Sequence, residues 1–455
     1  MIRKREKSYF AYNTVIGTSL DRELYLAFQI LDRALFRAPG APVKKALLDA
    51  EIGKDISSSY DNGILQPVFS ITAQEARDDQ EQDFVRIIEE TLQKIVKDGI
   101  PKRSLNAAFN YYEFKYKEAN FGRFPKGLMY GLQMYDSWLY DDEKPFIHIK
   151  TNETFEILRE KIDTDYFEKL IQTWLLSNTH KSLVVMKPKK GLQKIKDQKE
   201  ADKLKAYKAS LSAKEIQNLM QETKKLKKIQ ETPSTKEELE KIPVLDIEDI
   251  RKEVKPLSNH EIIIDDVKVL WHKYFTNGIC YLKLAFDMSY VPMELVPYAS
   301  LLTEIFTGVD TKQYSYLELG NEISIETGGI AASMNVLPKK QKEFLPIFTV
   351  KNKMFIFKYS KKHFALMEEI VFESKLNDKK RLKEIIGQIY TNLKIQLTEA
   401  GHKTAANRAM SYFSEFAAYR EAIQGIGMFE SVKVWYENFE NEYENIERAE
   451  PGRSH

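Results

Sequence analysis

Three stretches carry residue types that could do chemistry. The first is APGAPVKKALLDAEIGKDIS, residues 38–57. A phosphate loop needs G-x-x-x-x-G-K-[ST], whose backbone wraps the phosphates while the lysine reaches the terminal one. Here Gly40 leads to Lys44 and Lys45 without a second glycine, and Gly53-Lys54 is followed by Asp55. An aspartate there repels phosphate and takes the place of the metal-binding hydroxyl. No G-x-G-x-x-G dinucleotide pattern occurs either. The plainer reading is a short helix over 43–51, opened by Pro42, whose missing N–H costs nothing in a first turn, and closed near Gly53.

The second stretch is NHEIII, with His260-Glu261. A zinc helix of the H-E-x-x-H kind sets two imidazoles one turn apart, and the second position here is Ile264. The alternation reads as strand, and the inverted H-x-x-E-H is absent. His363 has Glu368 and Glu369 nearby but no second histidine one turn away, and His402 opens a helix, where capping and packing are its expected work. The third is TNGICYLKLAF, which places Cys280 in mid-strand among apolar neighbours, so a buried, inert thiol is expected. There is no G-x-S-x-G nucleophile turn. Asp78-Asp79 fits a helix start, where the dipole favours acids, and Asp141-Asp142 fits a loop. No complete active site emerges from these residues.

The elements around them are more telling. The 455 residues are 43% hydrophobic and 12% aromatic, enough for sizeable cores. With 69 basic and 67 acidic residues the net charge is +2, which gives no argument for a nucleic-acid partner. No apolar run is long enough for a membrane span, and the basic start MIRKREK lacks the apolar stretch of a secretory signal. The single cysteine rules out an internal disulfide and fits a reducing compartment, the cytoplasm.

Between 191 and 256 the composition changes. The stretch 187–229 is rich in Lys, Glu and Gln with sparse apolar residues, and Ser212 with Glu215 matches a capping box. Two helices forming a charged hairpin are expected, followed by a looser segment with Pro233, Pro243 and Pro256. With acids interleaved among the lysines, the hairpin reads as a solvated strut.

The flanking units, 1–190 and 257–455, repeat one pattern. In the first, strands are expected at 9–17, 66–73 and 182–186, and helices at 21–36, 43–51, 79–97, 102–118, 126–140, 152–162 and 165–176. In the second, strands are expected at 279–286, 330–336 and 354–360, and helices at 293–306, 315–323, 361–375, 379–400, 402–418 and 430–446. The second copy has no counterpart to the closing helix and strand of the first, so the sequence reads as cut from a longer protein. Runs of strands and helices without strict alternation imply α+β units, each a sheet with helices on one face.

Several motifs in this order resemble one family. RAPGAPVKKALLDAEIGKDI, YDNGILQPVFSI and EFKYKEANFGRFPKGLMYG are similar to the second domain of presequence-protease-type zinc metallopeptidases, the inverted-zinc-motif branch of the pitrilysin/insulinase-like superfamily. TNGICYLKLAFDMSYVPMELVPYASLL, ETGGIAASMNVLP and AGHKTAANRAMSYFS are similar to the third domain, and the charged hairpin resembles the hinge between the halves.

The resemblance implies two pitrilysin-like α+β domains of a peptidase that encloses unfolded peptides in a chamber. It implies that zinc, its ligands and the general base belong to a first domain absent here, and that substrate-orienting residues belong to an absent fourth. No catalytic or metal residue is therefore carried over, and the chain alone is expected to be inactive. Its expected partners are unfolded peptides, the missing first and fourth domains, and further copies of itself, with neither nucleic acid nor membrane among them. Leu65 and Phe69, alternating on a strand over 65–71, are the candidates for chamber wall, with plain core residues the simpler reading. The alternative function is a stand-alone, non-catalytic peptide-binding or assembly subunit of the same fold.

Overall fold

The structure is a computed structural model that describes residues 8–253, 256–340, 343–358 and 361–448. Met1–Met186 and Thr276–His455 group into one compact unit and Lys187–Phe275 into a second.

In the first half of the larger unit, β1 (Ser8–Val15), β2 (Asp55–Asp61), β3 (Val68–Ala76) and β4 (Lys181–Met186) form an antiparallel sheet in the order β2-β3-β1-β4. Its helices are α1 (Arg22–Asp32), α2 (Pro42–Asp49), α3 (Glu81–Asp98), α4 (Lys102–Glu118), α5 (Lys126–Trp138), α6 (Asn152–Lys161) and α7 (Tyr166–Leu170). Wider π turns extend α1 through Arg33–Arg37 and α7 through Ile171–Leu176. Alternate residues of the sheet (Phe10, Phe69 and Ile71 among them) meet the apolar stripes of α1 and α3, as the two- and 3.6-residue periods require. Asp21 caps α1 by accepting from the Glu23 and Leu24 N–H groups.

The sequence reading missed β2. DISSSYD is polar and buries Ile56 alone, so it carries no apolar alternation. The strand around Phe69 begins at Val68, which leaves Leu65 in the preceding bend. Gly53 is not the end of α2, which stops at Asp49. It lies in the turn into β2 at φ +66°, where a Cβ would come within 2.6 Å of the Gln74 carbonyl oxygen.

The second unit holds α8 (Leu192–Ser210), α9 (Ala213–Glu231), the short α10 (Lys236–Leu239) and a hairpin of β5 (His260–Ile264) and β6 (Val267–Trp271). Ser212 and Glu215 form the expected reciprocal cap. Neither α8 nor α9 buries a residue, and their apolar side chains meet only near the turn, where Tyr207, Leu211, Leu219 and Met220 line a shallow cleft.

The second half of the larger unit comprises β7 (Ile279–Asp287), α11 (Val296–Ile305), α12 (Tyr316–Glu326), β8 (Gly329–Pro338), β9 (Phe344–Phe355), α13 (Lys361–Phe372), α14 (Lys379–Glu399), α15 (Gly401–Ser411), α16 (Glu415–Gln424), α17 (Ile426–Glu437) and α18 (Phe439–Glu447). The sheet order β7-β9-β8 repeats β1-β3-β2. Hence β8 is the counterpart of β2 and β9 of β3, a correspondence hidden while β2 was missed.

The strand expected at 354–360 is Phe344–Phe355; a short 3₁₀ turn follows, and residues 359–360 lie outside the described residues. The helix expected over 402–418 breaks before Ser414, which caps α16, and that expected over 430–446 breaks at Asn438. Cys280 is half-buried rather than buried, and burial raises its thiol pKa, which disfavours the reactive thiolate. Among the described residues nothing pairs with the outer edge of β7, where the first sheet carries β4 beside β1.

The two halves are joined through α4. One face of α4 serves the first core through Leu105, Ala108 and Phe109, and the opposite side meets α12 and the second sheet. Asn110 donates from Nδ2 to the carbonyls of Ser324 (2.8 Å) and Thr327 (3.2 Å), and Arg103 pairs with the buried Glu322. Glu118 accepts from Lys353 (2.7 Å) and from the Tyr281 hydroxyl (3.1 Å). Phe114, Ile279 and Phe355 make a small apolar cluster at the centre, the two rings 5.1 Å apart. Gly328 lies against the Phe114 ring so closely that no Cβ fits.

Candidate functional site

The stretches whose residue types could do chemistry are structural. Pro42 starts α2, Lys44 pairs with Asp55 at 3.0 Å, and Lys45 pairs with Asp49, so both lysines have carboxylate partners. His260 lies on β5, which excludes the zinc-helix geometry. His363 is buried, with Nε2 on the Glu326 carbonyl at 3.0 Å. Among the described residues no group of three His, Cys, Asp or Glu is placed to hold a metal ion. The buried imidazoles spend ring nitrogens on backbone carbonyls, so the donors present do not fit a zinc site.

Leu65 and Phe69 part company. Phe69 is 2% exposed, with ring contacts to Phe28, Phe36 and Tyr60. Leu65 is 42% exposed, and its carbonyl accepts from the Ser19 N–H at 3.0 Å. That contact leads into a cluster that sequence reasoning did not single out.

The Ser19 carbonyl accepts from His148 Nε2 at 2.7 Å, which makes His148 the Nε2–H tautomer. The His148 ring stacks on Tyr25 of α1 with centroids 3.7 Å apart. The Tyr25 hydroxyl donates to Asp136 Oδ2 of α5 at 2.8 Å, and Gln133, one turn earlier on α5, donates to the His148 carbonyl at 3.0 Å. Beside them Gln29 Nε2 donates to the Tyr116 hydroxyl at 3.1 Å. Burial sets the electrostatics: it pulls the His148 imidazole down to about 4, pushes the Tyr116 phenol up to about 12 and raises Tyr25 further. The Asp136 carboxyl is raised by burial, with Asp61 adding to the rise against the hydrogen bond from Tyr25.

This network floors a cleft of about 310 Å³ between α1, α4 and α5. Its apolar walls are Tyr116, Phe121, Met129, Tyr130 and Leu132, and its polar groups include Gln29, Gln133 and Asp136. On the outer surface of α5, Leu128, Leu132 and Tyr135 are exposed at helical spacing, with Leu139 just beyond. Such a site has no nucleophile or metal donors; it can bind and orient a chain. The signal available in the sequence was the GLMYGLQMYDSWL pattern, whose apolar stripe runs past a mid-helix aspartate.

Residues 186–434 match the family described as peptidase M16, subfamily C, associated, and the chain belongs to that family. Over 426 residues it is 37% identical to "Protein HypA" of Clostridium perfringens, covering 93% of this chain and 44% of that one. Over 433 residues it is 28% identical to "Presequence protease 1, chloroplastic/mitochondrial" of Arabidopsis thaliana, covering 94% and 40%. The chain thus spans less than half the length of these relatives. A crystal structure of pitrilysin aligns over 95% of this chain and 47% of that one, at 14% identity and a TM-score of 0.40, too loose a likeness to argue from. Among the described residues no helix is long and apolar enough to cross a membrane.

Proposed function

We propose that this chain is the non-catalytic central part of an M16-type zinc metalloendopeptidase that degrades unstructured peptides in a closed chamber. The two sheet modules contribute chamber wall, and the α8–α9 hairpin contributes the hinge. The observation that carries this reading is one of coverage. More than nine-tenths of the chain aligns to relatives of which it accounts for only 40–44%, and one of them bears the name presequence protease. Zinc and its general base belong, on this reading, to a preceding domain, and the chain's partners are that domain, a following one and the peptide. Leu65, exposed beside the α5 cleft, is the wall residue, and Phe69 supports it from the core. The lone cysteine favours a reducing compartment such as the cytoplasm.

The test is to incubate the purified chain with an unstructured, quenched-fluorescence peptide and zinc. The expected result is peptide binding without hydrolysis and without stoichiometric metal. Hydrolysis that a chelator stops, in protein carrying one zinc per chain, overturns the reading.

A further inference from the structure

The cleft beneath α5 has a chemistry that goes further than a generic wall. We propose that it is a side-chain pocket for a basic residue, lysine or arginine, of an extended peptide. The proposal rests on the peptide-binding reading above and names which side chain the surface selects.

The first observation is size and lining. At about 310 Å³ the cleft lies at the small end of ligand pockets and suits a single long side chain. Phe121 and Tyr130 stand edge to face, 5.8 Å between centroids at 84°, and together with Tyr116 they present aromatic surface to whatever enters. Aromatic faces attract cations, and the methylene stem of lysine or arginine packs well on Met129 and Leu132.

The second observation is an uncompensated charge. Other well-buried carboxylates in this unit have cations: Asp32 has Arg37 (2.6 Å), Glu113 has Lys117 (3.2 Å) and Arg159, and Glu322 has Lys362 (3.0 Å). Asp136 is half-buried and, among the described residues, has only the neutral Tyr25 hydroxyl as a hydrogen-bond donor, while Asp61 adds negative potential nearby. A carboxylate removed from water calls for a cation. Lys115 also lines the cleft, but its ammonium lies 5.8 Å from the ring of Tyr112, which is not a lining residue. The exposed Leu128 and Tyr135 flank the cleft on α5 and offer apolar contact to the neighbouring residues of the same peptide.

The experiment measures binding of fluorescently labelled unstructured peptides to the full chain by anisotropy. One peptide has a central arginine flanked by leucines, a second has citrulline there (the same shape without charge), and a third has glutamate. The arginine peptide is expected to bind about tenfold more tightly than the citrulline peptide. Asp136→Asn, whose amide oxygen can still accept from Tyr25, is expected to erase that difference and leave citrulline binding unchanged. Lys115→Met is expected to tighten arginine binding.

Equal affinity for arginine and citrulline in the wild-type chain overturns the pocket and leaves peptide binding standing. A preference for glutamate also overturns it, because Lys115 would then be the selecting charge. Failure to bind any of the peptides overturns both the pocket and the function it rests on. The wild-type comparison needs no variant, so a misfolded Asp136→Asn would not shelter the proposal.

Discussion

The close approach of Gly328 to Phe114 predicts a coupled pair of substitutions. A Cβ on Gly328 would lie 2.2, 2.3 and 2.4 Å from three carbons of the ring. Carbon atoms rest about 3.5–4.0 Å apart, so the ring would have to retreat by more than about 1 Å. It has little room to do so: Phe114 is 3% exposed and backed by Phe355 and Ile279. Gly328→Ala should therefore cost about 1–3 kcal/mol, the usual penalty of an overpacked core. Phe114→Ala removes the ring and leaves a cavity, at about 3–5 kcal/mol. In the Phe114→Ala background the added methyl finds space, so Gly328→Ala should become nearly neutral, a coupling of about 1–3 kcal/mol in the double-mutant cycle. The assay is urea unfolding followed by tryptophan fluorescence in a Trp271→Phe background, so that the larger unit's Trp138, Trp174 and Trp435 report. A Gly328→Ala that costs nothing, or costs the same with and without Phe114, refutes the argument.

Other consequences are as open to measurement. His148 stays neutral in the fold down to about pH 4, whereas an unfolded histidine takes up its proton near 6.5. The unfolded chain thus binds more protons between these values, and stability should fall as pH drops from 6.5 to 4, by up to about 3 kcal/mol. His148→Gln, which can still donate to Ser19, should flatten that slope relative to wild type; identical urea midpoints across the window in both proteins would count against it. Removing Arg37 strands the buried Asp32, so Arg37→Ala should destabilise the larger unit by about 3 kcal/mol or more, read from the same midpoint. Ser212→Ala breaks the α9 cap and should lower the helix signal of the second unit, at about 0.5–2 kcal/mol, without moving the tryptophan transition of the first. The open β7 edge and the apolar stripe of α5 predict concentration-dependent self-association, and sedimentation showing a strict monomer into the high micromolar range would contradict it.

What could be read from the sequence was what local chemistry declares. α4 was legible to its ends, Lys102 and Glu118, because apolar residues recur at helical spacing between Pro101 and Ala119. The α9 start was legible from Ser212 and Glu215 alone. β2 was invisible because three serines and two aspartates hide a strand held by its neighbour β3. β9 was misplaced because KNK interrupts its apolar run and MFIF imitates a strand beyond its true end. The α5 cleft could not be assembled from the sequence at all. His148 reaches Ser19 across 129 residues and Tyr25 reaches Asp136 across 111, and nothing at any one of these positions announces the others.

The double duty of α4 also sets a timetable for synthesis. Its first core can close around it once β4 has been made, but its other partners come much later: Asn110 waits 214 residues for Ser324, and Glu118 waits 235 for Lys353. At about 5–20 residues per second that is on the order of ten seconds to most of a minute for an emerging chain. Throughout it Phe114 faces water with nothing from the second half to cover it. The α8–α9 hairpin, which buries no residue of its own, is translated within that interval. It lengthens the wait and adds no core of its own, and a nascent chain held there is the form of this protein most in need of a chaperone.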